Sequence, residues 1–134
     1  MSIQLLLSLA LVSCLGRSSV NLLDKNTAEH YTWGDGCDGW HLVKQPELSV
    51  IHEHMPPSTA EVRHYHQRAR QLFFVLSGMA TLEVAGLRET LGPQQAVEVP
   101  PGVPHQMFND SDRDLEFLVV SQPPTRGDRK EIRD

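Results

Sequence analysis

Residues 64–78 read HYHQRARQLFFVLSG, which places two histidines just before an apolar segment that ends at a Ser-Gly turn. Residues two apart on a β-strand point to the same face, so His64 and His66 share one side of the chain. A His-x-His on a strand therefore offers two imidazoles to one metal ion. His105 follows the rigid segment 100–104, PPGVP, at the start of another predicted strand, and it is the expected third ligand.

Short apolar segments separated by turn signals extend over most of the remaining chain. Ser77-Gly78 and Pro123-Pro124 are such signals, because glycine and proline interrupt regular structure. Strands this short and evenly spaced are typical of a β-sandwich or barrel, so the sequence predicts an all-β fold. The predicted strands are residues 48–55, 62–66, 71–76, 80–84, 87–91, 96–99 and 115–121, with one more beginning at His105.

Composition limits the class of protein. A chain of 134 residues has the size of one domain and can bury a core without covalent staples. The net charge of −5 argues against a nucleic-acid partner, which would require a basic face. Two cysteines, Cys14 and Cys37, are too few for a disulfide framework, which favours a reducing, cytoplasmic location.

The two ends of the chain are predicted to lie outside the folded domain. Residues 1–20 contain an apolar run that resembles the core of an export signal, and Leu11 to Cys14 resemble a lipid-attachment motif, yet no Lys or Arg precedes the run. The run is too short for a stable membrane span. Export or lipid anchoring, and a translation start near Val20, both remain open. We expect the barrel over residues 21–124 and a polar, solvated C-terminal tail over residues 125–134.

The two histidine motifs resemble those of the cupin family, in its small single-domain form. In the first motif, four residues separate His66 from Gln71 and six more separate Gln71 from Gly78. In the second, a Pro-x-Gly ending at Gly102 is followed by His105 and then Asn109. Two motifs in the right order are a specific signal, and they cover residues 58–109. The resemblance implies a small antiparallel jelly-roll barrel, often a homodimer, with a metal in its interior.

Three positions depart from the pattern of the family. Ser58 and Gln94 stand where the two motifs carry glycine, and Gln71 stands where the first motif carries a glutamate ligand. We expect the two glycine losses to be mild, because Pro57 and Gly92 can make turns nearby.

The resemblance implies that His64, His66, His105 and Gln71 are the metal ligands. An amide brings no negative charge, so the full charge of a divalent transition metal would remain on the site. Such a site favours an anionic substrate or bound hydroxide and lowers the affinity for Mn²⁺, whereas an imidazole-rich set suits iron, nickel, copper or zinc. Alternatively, Gln71 does not bind and leaves a three-histidine face with open positions.

A second His-x-His, His52-Glu53-His54, precedes the first one. The favoured interpretation is a pair of solvent-facing histidines at an edge of the barrel. If the opposite face points inward, Glu53 joins Ile51 and Met55 near the metal and becomes a candidate general base.

Residues 32–41, TWGDGCDGWH, are dense in glycine and aromatic side chains and predict a structured loop or strand. The segment is either a packing flap or a lid over the barrel mouth, with Trp33 and Trp40 as apolar wall. Cys37 is a weaker candidate for an extra ligand or a reactive thiol. Tyr65 faces away from its two histidine neighbours and is not expected to act as a catalytic acid.

The sequence therefore predicts a mononuclear metalloenzyme acting on a small, anionic metabolite, as an oxygenase or as an isomerase or lyase. One alternative is a non-catalytic module that binds a small molecule or a sugar, and another is a barrel without metal. A homodimer is expected from the resemblance and from apolar residues at Leu72, Phe74 and Leu76, which need a second layer to cover them.

Overall fold

The computed structural model describes residues 20–133, and these residues form twelve β-strands and no helix. All strand pairs are antiparallel, as the predicted all-β class requires. The strands are β1 Glu29–Trp33, β2 Cys37–Lys44, β3 Ser49–Met55, β4 Thr59–Ala60, β5 His64–Tyr65, β6 Arg70–Ser77, β7 Ala80–Val84, β8 Leu87–Leu91, β9 Ala96–Val99, β10 His105–Asn109, β11 Leu115–Gln122 and β12 Lys130–Glu131.

The strands form two sheets with the crossed connections of a jelly roll. The first sheet has the order β1-β2-β3-β11-β6-β9, and the second has the order β12-β5-β10-β7-β8, with β4 also paired to β10. Strands far apart in sequence, such as β3 and β11, are therefore neighbours. This arrangement confirms the small antiparallel jelly-roll barrel.

The core lies between the inner faces of the two sheets. On β11, Leu115, Phe117 and Val119 are buried and alternate with partly exposed residues, which is the period-two pattern of a strand with one face in a core. Leu82 of β7 and Met107 of β10 join the same cluster from the second sheet.

Strand prediction succeeded best where turn signals stood on both sides. Strands β7, β8 and β9 have the predicted bounds, β3 and β11 differ from the prediction by one residue at one end, and β6 is longer by one residue at both ends. The predicted strand 62–66 is reduced to His64–Tyr65. The residues just before this strand are irregular. There the Met107 amide donates its hydrogen bond to the Glu61 carboxylate at 3.0 Å and not to a backbone carbonyl oxygen.

The C-terminal segment is packed on the barrel, which corrects the expectation of a solvated tail. Lys130–Glu131 form β12, which pairs with β5. The buried Asp128 carboxylate accepts hydrogen bonds from three consecutive backbone amides, those of Gln67, Arg68 and Ala69, at 2.9–3.0 Å. The many charged residues of this segment predicted a solvated tail. Charge alone does not show that the Asp128 carboxylate will accept hydrogen bonds from three backbone amides of a distant loop.

The turns at the two missing glycines keep a left-handed backbone. Ser58 has φ 60° and Gln94 has φ 66°. Pro57 forms a turn together with Ser58, and the Gln95 amide donates to the Gly92 carbonyl oxygen across the turn that contains Gln94, so Pro57 and Gly92 take part in the turns as expected. Ser58 and Gln94 nevertheless adopt a conformation that costs a residue with a Cβ atom free energy.

Within residues 20–133, no helix is long and apolar enough to cross a membrane. The N-terminal apolar segment, including Cys14, lies outside the described residues apart from Val20.

Candidate metal centre

Three buried histidines meet at one end of the barrel interior. His105 begins β10 and pairs directly with His64 of β5, and His66 follows two residues later on the same face. One nitrogen from each ring lies within 4.8 Å of the other two. The group could therefore hold one metal ion, and the convergence predicted from the strand parity is present.

Each of the three imidazoles is oriented by a backbone carbonyl group. A carbonyl oxygen only accepts hydrogen bonds, so each Nδ1 carries the proton of the neutral ring and each Nε2 keeps a free lone pair. This arrangement is common around metal-bound histidines, because the second nitrogen fixes the ring. The pairs are His64 Nδ1 with the oxygen of Val62 at 2.7 Å, His66 Nδ1 with Asp128 at 2.6 Å and His105 Nδ1 with Val103 at 3.0 Å.

The surroundings keep these rings neutral. Burial lowers the pKa of His64 to about 3 and that of His105 to about 4, and burial likewise lowers the pKa of His66. Desolvation disfavours the imidazolium form, and a neutral imidazole is the form that binds a metal.

Gln71 adds a fourth acceptor on the inner face of β6. Its Nε2 donates to Ser121 Oγ at 3.0 Å, and its buried Oε1 has no hydrogen-bond partner within the described chain. His105 Nε2 is likewise buried and unpaired there. Unpaired buried acceptors are costly in a barrel interior unless a water molecule or a cation satisfies them. The donor set therefore fits a divalent transition metal.

The histidines open into a cavity of about 350 Å³. Its wall combines apolar side chains, such as Phe73 and Trp33, with polar ones. Arg129 is the one Lys or Arg among the lining residues of the described chain. A small concave site with few polar groups is the usual form of a metabolite-binding pocket.

Glu53 lies in this cavity, because the inner face of β3 carries Ile51, Glu53 and Met55. Tyr31 Oη donates a hydrogen bond to Glu53 Oε1 at 3.0 Å. Gly39 stands between them on β2, in register with both residues. A Cβ atom at Gly39 would collide with the Tyr31 ring, so only glycine lets the phenol reach across β2 to the carboxylate.

Burial raises the pKa of Glu53 to about 7, although the hydrogen bond from Tyr31 opposes the shift. Burial also raises the pKa of Tyr31, so its proton stays on the phenol. A carboxylate that titrates near neutral pH can accept and release a proton under ordinary conditions.

Glu61 is a second cavity carboxylate, and the sequence analysis missed it. Burial and the neighbouring charge of Glu53 raise its pKa to about 8. Tyr31 and Arg129, both lining the cavity, were missed as well. No motif marks these three positions, because only the pairing of distant strands brings them to the histidines.

The second His-x-His points away from the cavity. His52 Nε2 contacts Glu116 Oε1 at 2.8 Å, and His54 contacts Asp38 at 2.9 Å and Asp114 at 3.1 Å. The outward orientation agrees with the favoured interpretation. The expected edge position is wrong, since β3 lies between β2 and β11.

The glycine-rich segment 32–41 forms the end of β1, a turn and the start of β2. Trp33 lines the cavity, as the lid interpretation requires, whereas Trp40 lies beside His30 and His52 on the outer face. Cys37 is fully buried in the hydrophobic core, and burial raises the pKa of its thiol. It is not part of the histidine cluster, and burial keeps the thiol protonated, which argues against a reactive role.

Comparison with known proteins supports the architecture. The profile of the family described as "Cupin domain" matches residues 51–121, which is more than half of the chain. A search of curated proteins gave no match.

Several solved structures share the fold at low identity. KdgF from Halomonas sp. superposes with a TM-score of 0.71 at 17% identity, covering 78% of this chain and 94% of its own. An RmlC-like cupin from Shewanella frigidimarina NCIMB 400 gives 0.72 at 19% identity, covering 81% and 95%. A sugar phosphate isomerase of the cupin superfamily from Silicibacter pomeroyi gives 0.68 at 22% identity, covering 78% and 76%. With its two motifs, its jelly-roll barrel and the matching profile, the chain belongs to the cupin family.

Proposed function

We propose that this protein is a metal-dependent enzyme that acts on a small anionic metabolite. The ligands are Nε2 of His64, His66 and His105, together with Oε1 of Gln71. The observation that carries the proposal is the state of the three imidazoles: all are buried and neutral, and each has its Nδ1 held by a carbonyl and its Nε2 free. A barrel that only needed to fill its interior would gain more from apolar side chains.

The proposed ligands restrict the identity of the metal and the charge of the substrate. Three imidazoles and an amide suit iron, nickel, copper or zinc better than manganese. When bound, such an ion acts as a Lewis acid that stabilises negative charge on a coordinated oxygen. Because no carboxylate is among the proposed ligands, the positive charge favours an anionic substrate, and Arg129 adds a second positive charge to the cavity.

The protein groups in the cavity supply the proton chemistry. Glu53 is the proposed general base, and Tyr31 Oη holds its Oε1 in place at 3.0 Å. Apolar side chains, among them Phe73 and Trp33, form part of the wall of this cavity. A carboxylate base beside a Lewis-acid site is what an isomerase or lyase requires when it removes a proton next to a carbonyl group. This feature favours that class over an oxygenase, and one of the similar structures is named a sugar phosphate isomerase.

A non-catalytic binding module is the second candidate. Tyr31 and Trp33 both lie in the cavity wall, and aromatic rings offer flat apolar surface to a sugar ring. In that case the protein would bind sugars and leave them unchanged.

The first experiment measures metal content and turnover together. Protein purified without chelator should carry close to one equivalent of metal, and His66→Ala should lose it. His52→Ala removes an imidazole from the outer face and is the matched control. A full equivalent of metal on His66→Ala would refute the ligand assignment.

The second experiment separates enzyme from binder. We expect Glu53→Gln to keep its metal and to lose turnover of sugar acids or sugar phosphates by about 10² or more, since a general base contributes 10²–10⁴. Binding of these compounds without any product from the wild type would favour the module instead.

A further inference from the structure

A second cavity adjoins the metal site and has a different character. This outer cleft has a volume of about 830 Å³ and shares Ile51 and Thr125 with the inner cavity. Three cationic side chains line it, those of Lys44, Arg68 and Arg126. No Asp or Glu is among its lining residues in the described part of the chain. A basic cleft is notable on a protein whose net charge is −5.

The positive charge of the cleft is only partly neutralised. Lys44 Nζ contacts Glu29 at 2.8 Å. Arg68 Nε lies 3.9 Å from an Asp128 carboxylate whose oxygens already accept three amide hydrogen bonds. Arg126 makes no ion pair with any residue between 20 and 133. Two guanidinium groups are therefore available to a ligand.

His41 shows that these charges converge. It lines the cleft, and its buried Nδ1 has no hydrogen-bond partner among the described residues. Its pKa is lowered by burial and by the positive charges of Lys44 and Arg126, although Glu29, whose carboxylate lies 3.8 Å from His41 Nε2, opposes the shift. Lys44 and Arg126 therefore both act on one imidazole in the wall of the cleft.

One short segment serves both cavities. Thr125 lines both of them, Arg126 lines the outer cleft and Arg129 lines the metal cavity. Asp128 holds the segment to the loop at Gln67. The backbone that carries both arginines is thus held close to the loop that follows His66.

We propose that the outer cleft is an anion-binding subsite, and that the substrate carries a phosphate or carboxylate remote from its reacting end. Guanidinium groups recognise both kinds of anionic oxygen through paired hydrogen bonds. The link between this subsite and a substrate rests on the proposed function, whereas the binding of an anion in the cleft does not.

The test uses inorganic phosphate and acetate as probes, titrated into the full-length protein with and without metal. Calorimetry gives the affinity, and the amide NMR signals of Lys44 and Arg126 locate the site. We expect binding with or without metal, and a loss of about tenfold in affinity in Arg126→Gln and in Arg68→Gln, as for one charge-assisted hydrogen bond. Arg113→Gln removes an equal charge from an exposed site elsewhere and should bind as the wild type does.

The outcomes are distinguishable. Tighter phosphate binding points to a phosphate ester, and tighter acetate binding to a carboxylate. Unchanged affinity in both arginine variants overturns the proposal, as does the absence of binding by either probe at about 10 mM. Binding that requires metal and is lost in His105→Ala places the anion on the metal and also overturns it. Anion binding in a protein that never holds metal would refute the proposed function and leave the subsite standing.

Discussion

Gln71 is the residue on which the chemistry of the site depends most. Its amide nitrogen donates to Ser121, and its uncharged oxygen has no hydrogen-bond partner among residues 20–133. A neutral oxygen donor adds a coordination bond and leaves the charge of the metal intact, which is the basis for expecting an anionic substrate.

Gln71→Glu should replace the neutral oxygen donor with a charged one and so reduce the net positive charge of the site. We expect affinity for Mn²⁺ to rise at least tenfold, because a carboxylate is the better ligand for a hard ion. Without metal, a buried carboxylate should lower the free energy of unfolding by about 1–3 kcal/mol. Metal titration and urea unfolding measure the two effects. An unchanged metal preference would show that Gln71 does not bind the metal and that three histidines form an open face.

Glu61 should make stability fall as the pH rises. Its folded-state pKa of about 8 exceeds the ordinary value of 4.5, so the folded protein holds an extra proton between these limits. The stabilisation is complete below pH 4.5 and is lost as the pH rises through 8. Glu61→Gln keeps an acceptor for the Met107 amide and does not titrate.

Urea unfolding of the metal-free protein near pH 5 and pH 8.5 tests this expectation. Between the two conditions the free energy of unfolding of the variant should rise by about 4 kcal/mol relative to the wild type, because the interval spans about three pKa units at about 1.4 kcal/mol each. Parallel pH profiles for the two proteins would rule out a raised pKa at this carboxylate.

Ser58 and Gln94 carry a cost that glycine would remove. Both have positive φ, which disfavours residues with a Cβ by about 1–2 kcal/mol, while glycine adds about 0.4–1 kcal/mol of entropy to the unfolded chain. Ser58→Gly and Gln94→Gly should each raise the free energy of unfolding by roughly 0.5 kcal/mol or more. Thermal and urea denaturation measure it. Gly78→Ala is a control that should destabilise the protein, because its Cβ would collide with the Asp114 carbonyl oxygen. A lower free energy of unfolding in the two glycine variants would contradict the prediction.

At the scale of elements, the C-terminal segment is the part of the site that local sequence reasoning could not find. Its strand β12 has two residues, and its effect on the histidines comes through Asp128, whose carbonyl oxygen orients His66. The strands β6 to β9 were predictable because each is a short segment bounded by its own turn signals. Short strands such as β4 and β12 exist only because a distant partner supplies their hydrogen bonds, and no local pattern records that partner.

Asp128→Ala should loosen this segment and weaken the metal site together. The side chain loses its hydrogen bonds to three amides, so the thermal midpoint should fall, and the displaced carbonyl should release His66 and lower metal affinity about tenfold. Calorimetry and competitive metal titration measure the two effects. Asp112→Ala removes an exposed carboxylate as a control. Normal metal affinity in a destabilised Asp128→Ala would separate the segment from the metal site.

At the scale of the whole molecule, the inner and outer faces of the first sheet carry side chains with different roles. The inner face of the first sheet carries Glu53 and Gln71, and the outer face of the same strands carries His52 and Leu72. The His-x-His spacing and the family motifs predicted which side chains could converge. The depth of the cavity, the role of Glu61 and the basic outer cleft follow from the packing of two sheets and from register, which residue spacing does not determine.

The outer face of the first sheet should join two copies of the chain. Leu72 and Phe74 of β6 lie directly beside Val120 and Leu118 of β11, so the register forms one continuous apolar surface, and Leu72 keeps 38% of its area exposed. A stable dimer must bury about 1,000 Å² or more in total, so the contact would extend beyond these four side chains. Light scattering should give the mass of two chains for the wild type and of one chain for Leu72→Glu/Val120→Glu. Leu87→Glu changes a leucine that is 75% exposed on the second sheet, and it should remain dimeric. A monomeric wild type would show that no such dimer forms. A monomeric Leu87→Glu together with a dimeric double variant would place the contact on the second sheet.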